Sequence, residues 1–218
     1  NHIQQIAFAD FKNDLIWIRI TASQPLDIDI SLHRKENAIT SYKSNKIILS
    51  GTLPNNDIQG MQFASVIDIQ TDGNLQNTAS ATSVQKAKEI VLKISAATNY
   101  DFTKGRLTQD DVLQKANNYL QKTTIPFDNA IIESQKAYQV LFNRNRWYSD
   151  ANTDTSSFST FERLQRFYKG KKDALLPILY YNFGRYLLIS SSREGLLPAN
   201  LQGLSLIHIS EPTRQAEI

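Results

Sequence analysis

Near Thr103 the spacing of apolar side chains changes from every second residue to about every 3.6, which divides the chain into a β half and a helical half. Before that point Leu26, Ile28, Ile30 and Leu32 alternate with Asp27, Asp29, Ser31 and His33, the pattern of a half-buried strand. Leu15–Ile20 reads as a strand that is apolar on both faces over most of its length. Further strands are predicted at Ile3–Ala9, Lys46–Leu49, Phe63–Thr71 and Glu89–Ala97. Turn signals separate them at Ser23-Gln24-Pro25, Pro54-Asn55-Asn56-Asp57 and Thr71-Asp72-Gly73-Asn74. Short strands at this spacing predict an antiparallel β-sandwich over residues 1–102.

Past Thr103 the signals are helical. Thr108 followed by Asp110 and Asp111 predicts an N-cap and a helix to about Lys122. Ile125-Pro126-Phe127 breaks it, with Asp128 as the next cap. The following helix carries Ile131, Ile132, Gln135, Tyr138, Leu141 and Phe142 close to a helical period. Asn152–Ser157 is a polar loop. Ser159 and Glu162 have capping-box spacing and start a short helix to about Lys169. These elements form a helical linker over 103–172. The last helix starts near Leu175, because Pro177 is tolerable only in a first turn. It is apolar on most sides, and Glu194-Gly195 is predicted to end it. It opens a second domain over 173–204, which needs further elements to bury this surface.

Composition narrows the function. The 218 residues can bury a sizeable core, and with 41% hydrophobic and 21% charged residues the chain is globular. A net charge of +3 without a dense basic block does not indicate nucleic acid. Lys169-Gly170-Lys171-Lys172 comes nearest and reads as a solvated junction. No apolar run is long enough to span a membrane. The absence of Cys excludes disulfides, thiol nucleophiles and Cys metal sites. It fits a secreted or periplasmic bacterial protein and many cytosolic ones. The chain begins at Asn1, inside a strand pattern, so its natural start is expected to precede it.

Chemical motifs are sparse. There is no phosphate-binding Gly loop and no GxSxG elbow. His2, His33 and His208 are isolated and lack the spacing of metal ligands. Asp27 and Asp29 read as a solvated strand face, Asp110-Asp111 as a helix start, Glu162 as a cap. Most aromatics at helical spacing read as core, with Trp147-Tyr148, beside a polar loop, the pair left open. Tyr181–Leu204 is harder to explain structurally. Gly184 inside an apolar helix suggests close approach of another element, and a buried Arg185 needs a partner. Asn200 and Gln202 follow in a loop, neutral amides suited to sugar hydroxyls.

This stretch resembles glycoside hydrolase family 95, the α-L-fucosidases, whose pattern runs close to GRYLL-ISSSR-x-G-x-LPANLQG-[IL]-W. Gly184–Leu188, Ile189–Arg193, Gly195 and Leu197–Leu204 match it. Gln135–Arg144, Leu164–Gly170, Leu49-Ser50-Gly51 and Ala97-Thr98-Asn99-Tyr100 extend the resemblance upstream. Ser205 stands where the family has Trp. From there Ser205–Ile218 resembles the translation of a sequencing adapter, the alternative being a genuine short tail. His208, Glu211 and Glu217 are therefore set aside. The resemblance implies that 173–204 is the first helix and loop of an (α/α)6 barrel. It also implies that the parent removes terminal α-L-fucose, α-1,2-linked, with inversion and without a cofactor, acting in the periplasm or outside the cell. The family's acid and base carboxylates are not matched here, so no residue is assigned as catalytic. Asn200 and Gln202 are the implied substrate-side residues. Two alternatives stay open: a non-catalytic carbohydrate-binding or structural β-module, and a related α-L-galactosidase.

Overall fold

The computed structural model describes residues 2–55, 60–149 and 157–192. It divides into two compact units, Asn1–Ala137 and Tyr138–Ile218. Strands β1 (Ile3–Ala9), β2 (Ile16–Ile30), β3 (Ala38–Lys43), β4 (Lys46–Thr52), β5 (Gln62–Thr71), β6 (Asn74–Asn77) and β7 (Thr82–Thr98) come first. A small hairpin, β8 (Tyr100–Asp101) and β9 (Arg106–Leu107), follows. The helices are α1 (Val112–Gln121), α2 (Phe127–Phe142), α3 (Thr160–Tyr168) and α4 (Leu175–Ser191). The expected order, an antiparallel β-domain and then helices, is observed.

The β-domain is one antiparallel sheet in the order β1-β2-β7-β5-β4-β3, with β6 also on β7. Alternation sends Leu15 and Trp17, Ala64 and Val66, and Val91 and Ala97 to one face. There they pack on Val112, Ala116 and Leu120 of α1 and on Phe127 and Ala130 of α2. Ile67 and Ile69, and Ile90 and Leu92, face the other way, toward Ile30, Val84 and Ala87. Both faces are covered, which is why the strand around Trp17 reads as continuously apolar.

The second face is covered by the sheet itself. Lys46, Asp68 and Lys93 are in register across β4, β5 and β7. In a flat sheet Thr82, at the start of β7, would lie roughly 30 Å beyond the level of Ser44 in the β3–β4 turn. Instead Asn77, the partner of Thr82, donates from Nδ2 to the Ser44 carbonyl at 3.0 Å. The far ends of β2 and β7, with β6, therefore fold back over β4 and β5, and one sheet makes a sandwich-like body. The bend lies where the β2–β7 register slips, between Thr21 and Leu26 and again before Ile28. Lys86 has φ of 56° there, and its N–H donates to Asp27 at 2.8 Å. Gly73 lies under the bend, where a Cβ would come within 2.5 Å of the Gln85 carbonyl oxygen.

Several local expectations are corrected. Ser23-Gln24-Pro25 is no turn: β2 runs through it, and Pro25, with no N–H to donate, falls in the irregular stretch. Asp27 and Asp29 are not merely solvated, since they accept from the Lys86 N–H and the Ser83 hydroxyl of β7. Thr108 does not cap α1, because its N–H and hydroxyl both donate to the Asn99 carbonyl. Asp111 caps instead, accepting from Leu113 and Gln114. Asp128 lies inside the first turn of α2 and pairs with Arg19 at 2.7 Å. The helix starts two residues earlier than a cap at Asp128 would allow, because the Pro126 carbonyl takes the first helical bonds from Asn129 and Ala130, and the Phe127 ring is buried against Phe8 and Trp17. Lys93 is buried on the helix-covered face. Its ammonium lies 5.2 Å from the Trp17 ring and 3.5 Å from the Thr123 carbonyl, just past the end of α1.

In the second unit the Ser159–Glu162 capping box forms as expected. Gly170, with φ of 80°, closes α3: its N–H reaches the Phe167 carbonyl and that of Lys171 reaches Arg166. Helix α4 starts at Leu175 as expected and ends at Ser191. Only Leu176 of α4 is buried, so its apolar surface, predicted to be covered on most sides, is largely open among the described residues. Glu194-Gly195 and most of the Asn152–Ser157 loop lie outside those residues.

Candidate functional site

Helix α4 carries the first part of the Tyr181–Leu204 stretch, and Arg185 is its best-connected side chain. Phe142 ends α2, so its carbonyl has no intrahelical partner. Arg185 donates to it from Nη2 at 2.7 Å, and from Nη1 to the Asn145 carbonyl at 2.8 Å. A cation on C-terminal carbonyls is favourable for the helix dipole as well. The guanidinium also lies 4.7 Å from the Phe142 ring and 5.7 Å from the Tyr181 ring. The partner that the sequence demanded for Arg185 is thus the end of α2. A Cβ on Gly184 would meet nothing within 4 Å, so the expected close approach is not met among the described residues.

An aromatic cluster surrounds this anchor. Tyr138 stacks on Phe142 and tilts against Tyr186. Burial, then the neighbouring Tyr186, pushes the Tyr138 phenol above its ordinary value. Trp147 stacks on Tyr181 with centroids 4.5 Å apart and planes 9° apart. The Tyr181 hydroxyl accepts from Asn145 Nδ2 at 2.9 Å.

Among the described residues of this unit, the carboxylates of Asp173 and Glu162 are committed to structure. Arg163 grips Asp173 with two bonds, Nε to Oδ2 at 2.8 Å and Nη2 to Oδ1 at 3.0 Å. Asp173 also accepts from the N–H groups of Leu175 and Leu176, so it serves the start of α4. The Arg163 bonds, followed by these N–H groups, hold its carboxyl below the usual range against a burial effect of opposite sign. Glu162 is lowered by Ser159, hydroxyl first. No group of three potential metal ligands occurs among the described residues. Between α3 and α4 lies an open groove of about 500 Å³ lined by Leu164, Phe167, Leu176, Leu179, Tyr180 and Phe183. Its walls suit another helix better than a sugar.

Asn200 and Gln202 lie outside the described residues, as does the 205–218 tail. Sequence reasoning missed the Arg163–Asp173 pair and the target of Arg185. The Tyr181–Arg185 spacing of one helical turn signals only the contact of Arg185 with the Tyr181 ring, not its target at the end of α2.

Residues 126–213 match the glycosyl hydrolase family 95 catalytic domain, and residues 1–103 match the glycosyl hydrolase family 65 N-terminal domain. The first match runs past Leu204 into the tail. Alpha-L-fucosidase 2 of Arabidopsis thaliana is 30% identical over 231 aligned residues, which cover 90% of this chain and 27% of that protein. Probable alpha-fucosidase A of Aspergillus niger is 29% identical over 226, covering 93% and 27%. Its namesake from Aspergillus oryzae is 25% identical over 184, covering 77% and 24%. The chain therefore spans about a quarter of the length of these curated relatives.

Proposed function

We propose that this chain, which belongs with the family 95 glycoside hydrolases, is part of an enzyme that removes terminal α-L-fucose from glycans. The observation that carries this reading is the catalytic-domain match over 126–213, which includes the Gly184–Leu204 signature. Three relatives named as fucosidases support it along most of the chain.

The preferred linkage is α-1,2, and the reaction inverts the anomeric centre. Inversion needs one carboxylic acid to protonate the leaving oxygen and one carboxylate to activate water on the opposite face, about 6.5–9.5 Å apart. In this reading both lie in parts of the parent outside residues 1–218. Arg185 builds the scaffold by joining α4 to the end of α2. Asn200 and Gln202 support the substrate through hydroxyl hydrogen bonds. No cofactor takes part, and the enzyme meets its substrate in the periplasm or outside the cell.

The test is fucose release by the full-length parent from 2′-fucosyllactose, with an L-galactoside in parallel. Release of L-fucose with the β-anomer formed first is expected. Cleavage of the L-galactoside alone, or of neither compound, would sink the proposal.

A further inference from the structure

The Trp147–Tyr181 stack is the feature that neither the fold nor the fucosidase reading uses. Tyr181 covers one face of the indole almost in parallel, yet Trp147 remains 53% exposed. That exposure must come mainly from the other face and the rim. The support is held on both sides of the stack: Tyr181 is on α4 and accepts from Asn145, whose own carbonyl accepts from Arg185. A flat apolar surface is thus fixed before anything binds, so little side-chain freedom is lost on binding. The Asn145 amide and the Tyr181 hydroxyl bond each other on the supporting side of the stack, and Tyr148, next to Trp147 in the chain, is 80% exposed.

We infer that the open face of Trp147 is an accessory sugar-binding platform, onto which a pyranose ring of the glycan stacks through its apolar C–H face. An open aromatic face held in place from behind suits the apolar C–H face of a sugar ring, whose hydroxyl edges stay in water. A second helix would require a groove, and the α3–α4 groove is lined by other residues. The inference rests on the glycan-processing reading for the class of ligand, and on the stack alone for the site.

Dilute chain is titrated with 2′-fucosyllactose while iodide quenches tryptophan emission. The protein has two tryptophans, and Trp17 is buried, so the quenchable emission belongs to Trp147. Saturable protection of that emission by the glycan is expected. In affinity electrophoresis through gels containing the same glycan, Trp147→Ala should weaken binding about tenfold, and Trp147→Phe should recover part of it. Far-ultraviolet dichroism with unchanged helical content in each variant shows that the helical unit carrying the stack is folded. Quenching indifferent to glycan, or Trp147→Ala binding as tightly as the original chain, overturns the platform. A platform that fails while the parent still releases fucose leaves the fucosidase proposal standing, and the reverse outcome separates them equally well.

Discussion

Asp173 is 8% exposed and serves two partners, the Arg163 guanidinium and the first N–H groups of α4. Removing its charge leaves a mostly buried guanidinium with a poorer acceptor. Asp173→Asn should destabilise the helical unit by about 2 kcal/mol, read as a shift in its denaturant midpoint by far-ultraviolet dichroism. The carboxyl is held below its ordinary value near 3.8, so the folded state binds this proton less readily than the unfolded chain. Its contribution is therefore complete above that value and fades as the pH falls through the lowered one. The original chain should lose stability there, and Asp173→Asn should lose less. Equal acid sensitivity in both would show that Asp173 does not carry the effect. Such pairs are hard to find in a sequence. Arg163 and Asp173 lie ten positions apart across the Gly170 turn, beyond helical spacing, and only the α3 cap geometry brings them together.

At the scale of elements, the bend in β2 and β7 decides the fold of the β-domain. Asp27 anchors it from one strand by accepting from Lys86. Asp72 steadies the β5–β6 turn beside it, accepting from Glu89 and Lys88, which lowers its carboxyl. Gly73 leaves room for β7 to pass. In Gly73→Ala the new methyl would meet the Gln85 carbonyl oxygen at 2.5 Å and the Ala87 Cβ at 2.8 Å. Main chain cannot step aside as a flexible side chain does, so a loss of roughly 2 kcal/mol is expected in urea unfolding followed by Trp17 emission. An unchanged midpoint would mean that the bend tolerates a wider turn. The strands on either side were legible because their alternation is local. The bend was not, because Ser23-Gln24-Pro25 looks alike whether it reverses the chain or disturbs one strand. Only the pairing of β2 with β7 distinguishes the two, and that is a long-range fact. The Ser159–Glu162 box, closed within three residues, was readable for the opposite reason. For the functional site, the Gly184–Leu204 signature was legible as a family pattern, whereas Arg185's partner depended on where α2 ends.

At the scale of the whole molecule, the two units bury apolar surface very unequally. Among the described residues, the hydrophobic clusters lie in the β-unit, from Trp17 and Val66 on one face to Ile47 and Ile69 on the other. In the helical unit Tyr180 is 78% exposed, Leu188 59% and Phe183 55%. A row of apolar side chains along one helix, with a groove of about 500 Å³ beside it, is a large open patch for a monomer. Each buried side chain of this size gains about 1.5–3 kcal/mol, so covering even part of the row drives association. The 218-residue chain should therefore self-associate at micromolar concentration and enhance the fluorescence of anilinonaphthalene sulfonate. A shorter chain ending at Arg144, which keeps all of α2, should remain monomeric with Trp17 still shielded. In the longer chain the paired substitution Leu179→Ser and Phe183→Ser should lower the sedimentation coefficient toward that of a monomer. The substitutions act on the groove wall and leave the Arg185 anchor and the Trp147 stack in place. Self-association that survives them would move the sticky surface away from α4. Its disappearance, together with loss of dye binding, would identify this groove as the surface through which the chain associates.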